Sequence, residues 1–186
     1  MTTAGPGSLV KDNPLWDFMT ATYKEPGVEK ACLALQKRHG ADVNMILFCI
    51  WLAYRGAGSE HLAHYLGSAL KLSRSWQSTM VEPLRTARNN LKDHIENSGM
   101  SGADKDTAAA LRERIKACEL EMEHMETLAL YALVPEGEDK GIGTSPAESK
   151  DDARNNLTVY FAAMGVQLDP LGEAHVMRIL TSVFGS

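Results

Sequence analysis

The chain has 186 residues, is 44% hydrophobic and 23% charged, and carries a net charge of −5. That length fits one domain of roughly 100–200 residues, and the composition is that of an ordinary globular protein able to bury a core without staples. The negative balance argues against nucleic acid as a partner, because phosphate neutralisation needs a basic surface.

Cys32, Cys49 and Cys118 are odd in number and lie on apolar helical faces, so they read as reduced, buried thiols of a cytoplasmic protein. Residues 1–12 are small and polar and are expected to be a disordered N-terminus. Their start, M-T-T-A-G-P-G-S, has neither a basic nor an apolar region, so no secretory signal is expected. Residues 13–186 read as a single helical domain.

Asn13 caps a first helix that opens with Pro14, where a missing N–H does no harm. Leu15, Trp16, Phe18, Met19 and Tyr23 give it a broad apolar face, and Pro26-Gly27 breaks it. Val28, Ala31, Cys32 and Leu35 form the stripe of a second helix ending near Gly40. The stretch 42–55, D-V-N-M-I-L-F-C-I-W-L-A-Y-R, is apolar on every side of a helical wheel after its Asp42 cap. It is too short for a membrane span, which needs roughly 20 apolar residues. It therefore predicts a buried central helix, with Asn44 as its one internal polar residue.

Ser59 opens a fourth helix, and Ser73 or Ser75 a fifth along Trp76, Met80, Leu84, Ala87, Leu91 and Ile95. Pro83 falls within that line and predicts a kink there, or a fresh helix start. In the sixth helix Ala108, Leu111, Ile115, Cys118, Met122, Met125, Ala129 and Ala132 follow the heptad period. Residues from about 75 to 134 thus predict a coiled-coil-like hairpin. Residues 136–150 form a flexible polar linker, and two last helices read as a C-terminal hairpin. No segment alternates as a strand does, so the fold class is all-α, a helical bundle.

No P-loop, G-x-G-x-x-G, C-x-x-C, H-E-x-x-H or G-x-S-x-G occurs. Glu121 and His124 share a helical face, as in di-iron bundles, but no second pair exists, and a solvated face is the plainer reading. Glu60, His61 and His64 also fall short of a complete ligand set. No metal and no cofactor is expected. Arg85, Arg88 and Lys92 align on one face downstream of Trp76 and offer an anion site. Their plainer reading is a solvated face with ion pairs to the acidic sixth helix.

In order, the chain carries L-W-D-F (15–18), Y-x-x-P-G-V (23–28), C-L-x-L-Q (32–36), D-V-N-M-I-L-F-C-I-W-L-A (42–53), Trp76 and P-L-R-x-x-R (83–88). This series resembles a family of small bacterial proteins of unknown function. The resemblance spans most of residues 14–134 and implies a bacterial, cytosolic, all-helical protein with no established activity. Asp17, in the opening motif, is either a first-turn carboxylate favoured by the helix dipole or a buried partner for one of the arginines.

The functional expectation is a helical interaction module that binds another protein or a second copy of itself. In the latter case a dimer would form through the apolar 125–134 end, unless the last two helices cover it. The alternative is a small-ligand or anion-binding protein, or an enzyme, with a site near Asp17, Asn44, Trp76, Arg85 and Arg88.

Overall fold

The computed structural model describes residues 10–97, 99, 101–135 and 146–185. Among them are helices α1 (Pro14–Tyr23), α2 (Val28–His39), α3 (Val43–Tyr54), α4 (Ser59–Trp76), α5 (Glu82–Asn97), α6 (Gly102–Tyr131), α7 (Pro146–Ala163) and α8 (Pro170–Phe184), with a π-helical turn (Gln77–Val81) between α4 and α5. No strand occurs among the described residues.

Helix α3 is the centre. Every residue from 44 to 53 is buried, as an all-round apolar helix requires. Helix α7 lies along it most extensively, and α1, α2, α4 and α6 complete the surround. The Asn156 amide of α7 donates to the carbonyls of Cys49 (3.0 Å) and Ala57 (3.1 Å) and so fastens α7 to the end of α3. Helix α8 folds back from α7 onto α2. Its N-cap Asp169 accepts the Gly172 N–H at 2.8 Å and pairs with Arg38 of α2. Gly172 is needed at that contact, because a Cβ there would stand 2.8 Å from His39 Nε2.

Several expectations need correction. Helices α4 and α5 are not separated near Ser73; helical backbone runs on from Ser59 to Asn97. At Pro83 the backbone is helical, in the first turn of α5. The turn just before it widens, with the Glu82 N–H reaching five residues back to the Gln77 carbonyl. A proline ring collides with the carbonyl four residues back, and a widened turn relieves that crowding. The Ser78 and Thr79 hydroxyls both donate to the Ser75 carbonyl beside it.

Helices α5 and α6 do form a hairpin, but the heptad line is not its buried seam. Leu111, Cys118 and Ala132 are exposed, whereas Glu119, His124, Glu126, Thr127 and Leu130 are buried. The outer half of α6 faces only α5, and α5 itself has no buried residue. The inner half enters the bundle, where Leu130 joins the apolar core and Glu119, His124, Glu126 and Thr127 are buried as well. Helix α6 packs against α1, α3 and α4, and in the 125–134 end Leu130 belongs to the core, with Tyr131, Leu133 and Val134 packed against it. That end is therefore not a free apolar surface.

Of the expected linker, 136–145 lies outside the described residues and 146–150 already belongs to α7. Of the N-terminal segment, 1–9 lies outside them too. Cys32 and Cys49 are buried, but Cys118 is exposed.

Removing the Asn156 amide takes a donor from the Ala57 carbonyl and the tie between α7 and the Cys49 carbonyl of α3. Asn156→Ala is expected to cost about 2–3 kcal/mol in chemical denaturation. A loss within experimental error would show that α7 is held by apolar packing alone.

A polar cleft at the start of the central helix

Asp42 stands in extended conformation at the head of α3. Its Oδ1 accepts the Asn44 N–H at 2.7 Å and the Met45 N–H at 3.2 Å, so it caps the helix. Its Oδ2 accepts the Ser73 hydroxyl of α4 at 2.8 Å. Its backbone N–H donates to the Tyr160 phenol oxygen of α7 at 2.9 Å, leaving the phenol its own O–H to give.

A second tier lies on α6. Asn44 Nδ2 and Gln77 Nε2 donate to the same oxygen of Glu126, Oε2, at 2.9 and 2.7 Å. Trp76 Nε1 donates to the Met122 carbonyl at 2.7 Å. Arg85 gives Nε to Glu119 at 2.8 Å and Nη2 to Glu123 at 3.1 Å, while Arg88 Nε reaches Glu119 Oε2 at 3.1 Å. The π turn matters here, because Trp76 and Gln77 flank its start and both reach α6. Such turns recur at functional sites.

Four carboxylates, Asp42, Glu119, Glu123 and Glu126, thus face two arginines. Burial pushes Glu123 up to about 7, helped by Glu119 and Asp42 and opposed by Arg85. Burial likewise pushes Glu126 up to about 8, helped by Asp42 and opposed by the bonds from Asn44, Ser73 and Gln77. Asp42 is raised too, mainly by burial, against its hydrogen bonds and Arg85. The Ser73 hydroxyl touches both Asp42 and Glu126.

The cleft in front of this network has two recesses. The outer, of about 410 Å³, has Met45, Leu70 and Met164 on its apolar side and Arg74, Glu82 and Tyr160 among its polar groups. The inner, of about 100 Å³, adds Tyr23, Asn44 and Glu123. Gln36, Asp42, Gln77 and Arg85 line both. Two buried oxygens beside it, Asn44 Oδ1 and Glu126 Oε1, have no hydrogen-bond partner among the described residues.

Of the residues expected at a site, Asn44 and Arg85 line the cleft, and Trp76 and Arg88 support it from behind through α6. Asp17 is exposed on α1 and makes no ion pair among the described residues, so it is not a buried partner of the arginines. The arginines take the plainer of their two readings, ion pairs to the acidic sixth helix. Arg85 hydrogen-bonds Glu119 and Glu123, and Arg88 is ion-paired with Glu119 through its Nε.

Glu119 and Glu126 are not on a solvated face but are buried. For Glu119 the one signal in the sequence was the cationic face of Arg85 and Arg88 opposite an acidic sixth helix. His124 is buried as well, 1% exposed, stacked on Trp16 at 4.0 Å because α1 crosses it. Its Nε2 lies 3.6 Å from Asp12, and burial holds its pKa below the usual histidine value. His61 is half-buried and His64 exposed. Among the described residues no three His, Cys, Asp or Glu side chains are grouped to hold a metal ion.

The molecule is thus an all-helical protein with a polar cleft between its central helix and a π turn, and no described helix is long and apolar enough to cross a membrane. The chain belongs to a protein family of unknown function, DUF2390, whose family model matches residues 14–130. No curated protein and no solved structure matches it. The matched span contains every cleft residue except Tyr160 and Met164, which come from α7.

The raised carboxyls set a pH dependence. The folded chain keeps the Glu126 proton up to about pH 8, whereas the unfolded chain releases it near 4.5. Stability from this group is complete below the ordinary carboxyl range and is lost as pH rises through about 8. Glu123 acts in the same direction. The denaturation midpoint should fall from about pH 5 to about pH 8, and Glu126→Gln should flatten the fall. A wild-type profile that rises over this interval would contradict the assignment.

Proposed function

We propose that the protein binds a small polar ligand in the cleft lined by Gln36, Asp42, Gln77 and Arg85. The observation that carries this reading is the convergence of an orphaned buried acceptor, Asn44 Oδ1, with raised carboxyls on a two-part recess. Perturbed titratable groups lining a concave site are the usual mark of a ligand or active site. An anion is the less favoured occupant, since both arginines are already paired with glutamates. Reading the chain as bacterial and cytosolic rests on its ordered motifs and its two buried thiols.

A second reading, the interaction module, is favoured by one observation. The α5–α6 hairpin has no buried residue on α5, and on α6 Leu111 is 45% exposed. A partner protein or a second copy would cover it there. Light scattering at micromolar concentration tests the self-association form. A dimer mass that Leu111→Glu reduces supports it, and a monomer mass for the wild type removes it.

The ligand reading is tested by a thermal-shift screen against metabolites and nucleotides. A ligand at about 100 times its Kd adds roughly 2.7 kcal/mol of stability. That gain should disappear in Gln77→Ala, which strips a side chain from both recesses. A gain that survives the substitution, or a screen with no stabilising compound, counts against the cleft.

A further inference from the structure

We propose that the inner recess takes the ammonium group of a small organic amine, held by the Asn44 amide oxygen with Asp42 and Glu123, while the amine's apolar body occupies the outer recess. The proposal rests on reading the cleft as a small-ligand site.

Three observations point to a cation. The first is hydrogen-bond capacity. Asn44 is 2% exposed and turns its Nδ2 to Glu126, so its Oδ1, buried beside the recess, is left without a partner. Asp42 Oδ2 accepts only the Ser73 hydroxyl, and Glu123 takes a single Arg85 N–H. The recess is therefore rich in unused acceptor capacity. An ammonium group brings three donors and no acceptor.

The second observation is charge. Four carboxylates stand against Arg85 and Arg88, and both guanidinium groups are already engaged. With all four ionised they would outnumber the two arginines, so a cation favours that ionised state, whereas an anion opposes it and a neutral group leaves the protons on Glu123 and Glu126 in place. The groups facing the recess from the surrounding elements do not change this balance. They are Tyr23 of α1, Gln36 of α2, Glu82 and Arg74 at the outer mouth, and Tyr160 of α7.

The third is shape. About 100 Å³ admits a headgroup and little more. The outer recess of about 410 Å³ supplies Met45, Leu70 and Met164 for a short aliphatic or aromatic body. The two methionines give an adaptable apolar wall.

The acid–base state of the site makes this binding visible. A cation entering beside Glu123 and Glu126 favours their ionised forms, so binding releases protons near neutral pH. Glu123, at about 7, is roughly one-tenth ionised at about pH 6 and nine-tenths at about pH 8. Amine affinity should therefore rise about tenfold over that interval.

The test is calorimetric titration of the full chain with butylamine, phenethylamine and putrescine. Each is set beside the alcohol of the same skeleton and beside butyrate, in two buffers of different protonation enthalpy. The expected result is saturable binding of at least one amine, tighter at the higher pH and with proton release, and none for the alcohols or butyrate. Glu123→Gln should weaken the amine about tenfold at about pH 8 and remove part of the release. Should that variant fail to fold, the wild-type proton release alone decides.

Equal binding of the alcohols, or binding of butyrate instead, overturns the cationic ligand but leaves the cleft reading intact. Amine binding without proton release, or unaffected by Glu123→Gln, places the amine elsewhere and also overturns it. If none of these probes binds and the metabolite screen is empty as well, both readings fall.

Discussion

The structure depends on what happens at Asp42. One carboxylate ends the approach to α3 by capping its first turn, ties α4 through Ser73, and sits on a backbone whose N–H is anchored to Tyr160 of α7. Three helices therefore meet at one residue, and the most buried helix of the fold starts there. The apolar body of α3 sets how tightly the bundle packs. Asp42 sets where along the chain that packing begins. A helix of this composition has almost no polar face to orient it, so its rotation must be fixed by directional bonds at an end. Asp42 and Asn44 are those bonds, which is why a polar site lies at the head of the most apolar element.

The same arrangement explains why so many charges are withdrawn from water. Buried ion pairs are a weak source of stability, because desolvation offsets most of the attraction between the partners. Glu119, Glu123, Arg85 and Arg88 therefore do little to hold the fold. The apolar layers around α3 can bear that cost, and the hairpin is bound to the bundle through directional contacts together with the apolar packing of Leu130. Trp76 adds one further fixed point by reaching a carbonyl in the middle of α6. Sites that do chemistry or bind ligands commonly break local rules in this way, and neighbouring packing compensates.

What could be read in the sequence was what local chemistry decides. Asn13, Asp42 and Asp169 cap the helices they precede, and Gly40 ends α2 with a positive φ. The burial of α3 followed from its all-round apolar wheel. What could not be read was decided by partners remote in the chain. The heptad pattern of α6 assumes that apolar residues face inward, yet the inward stripe is set by arginines some thirty positions away and includes Glu119 and Glu126. His124 is hidden only because α1 crosses it, and Asp17, one position beyond Trp16, points away. Pro83 was read as the place of a kink, whereas the adjustment lies in the turn ahead of it. Asp42 was recognised as a cap, but its bonds to Ser73 and Tyr160 span long loops that no periodicity reports.

The π turn has one further consequence, which concerns phase. Successive residues on a helix are about 100° apart, so a turn holding one residue more than its neighbours shifts everything downstream by that angle. Gln77–Val81 is such a turn, and beyond it lie both arginines that meet the acidic stripe. In a uniform helix from Ser59 onward the two guanidinium groups would be carried round to solvent while Ser73 kept its place. In genetic terms the difference is a single codon. Adding or losing one triplet in that short window is the smallest change that turns the arginines toward or away from the acidic stripe of α6.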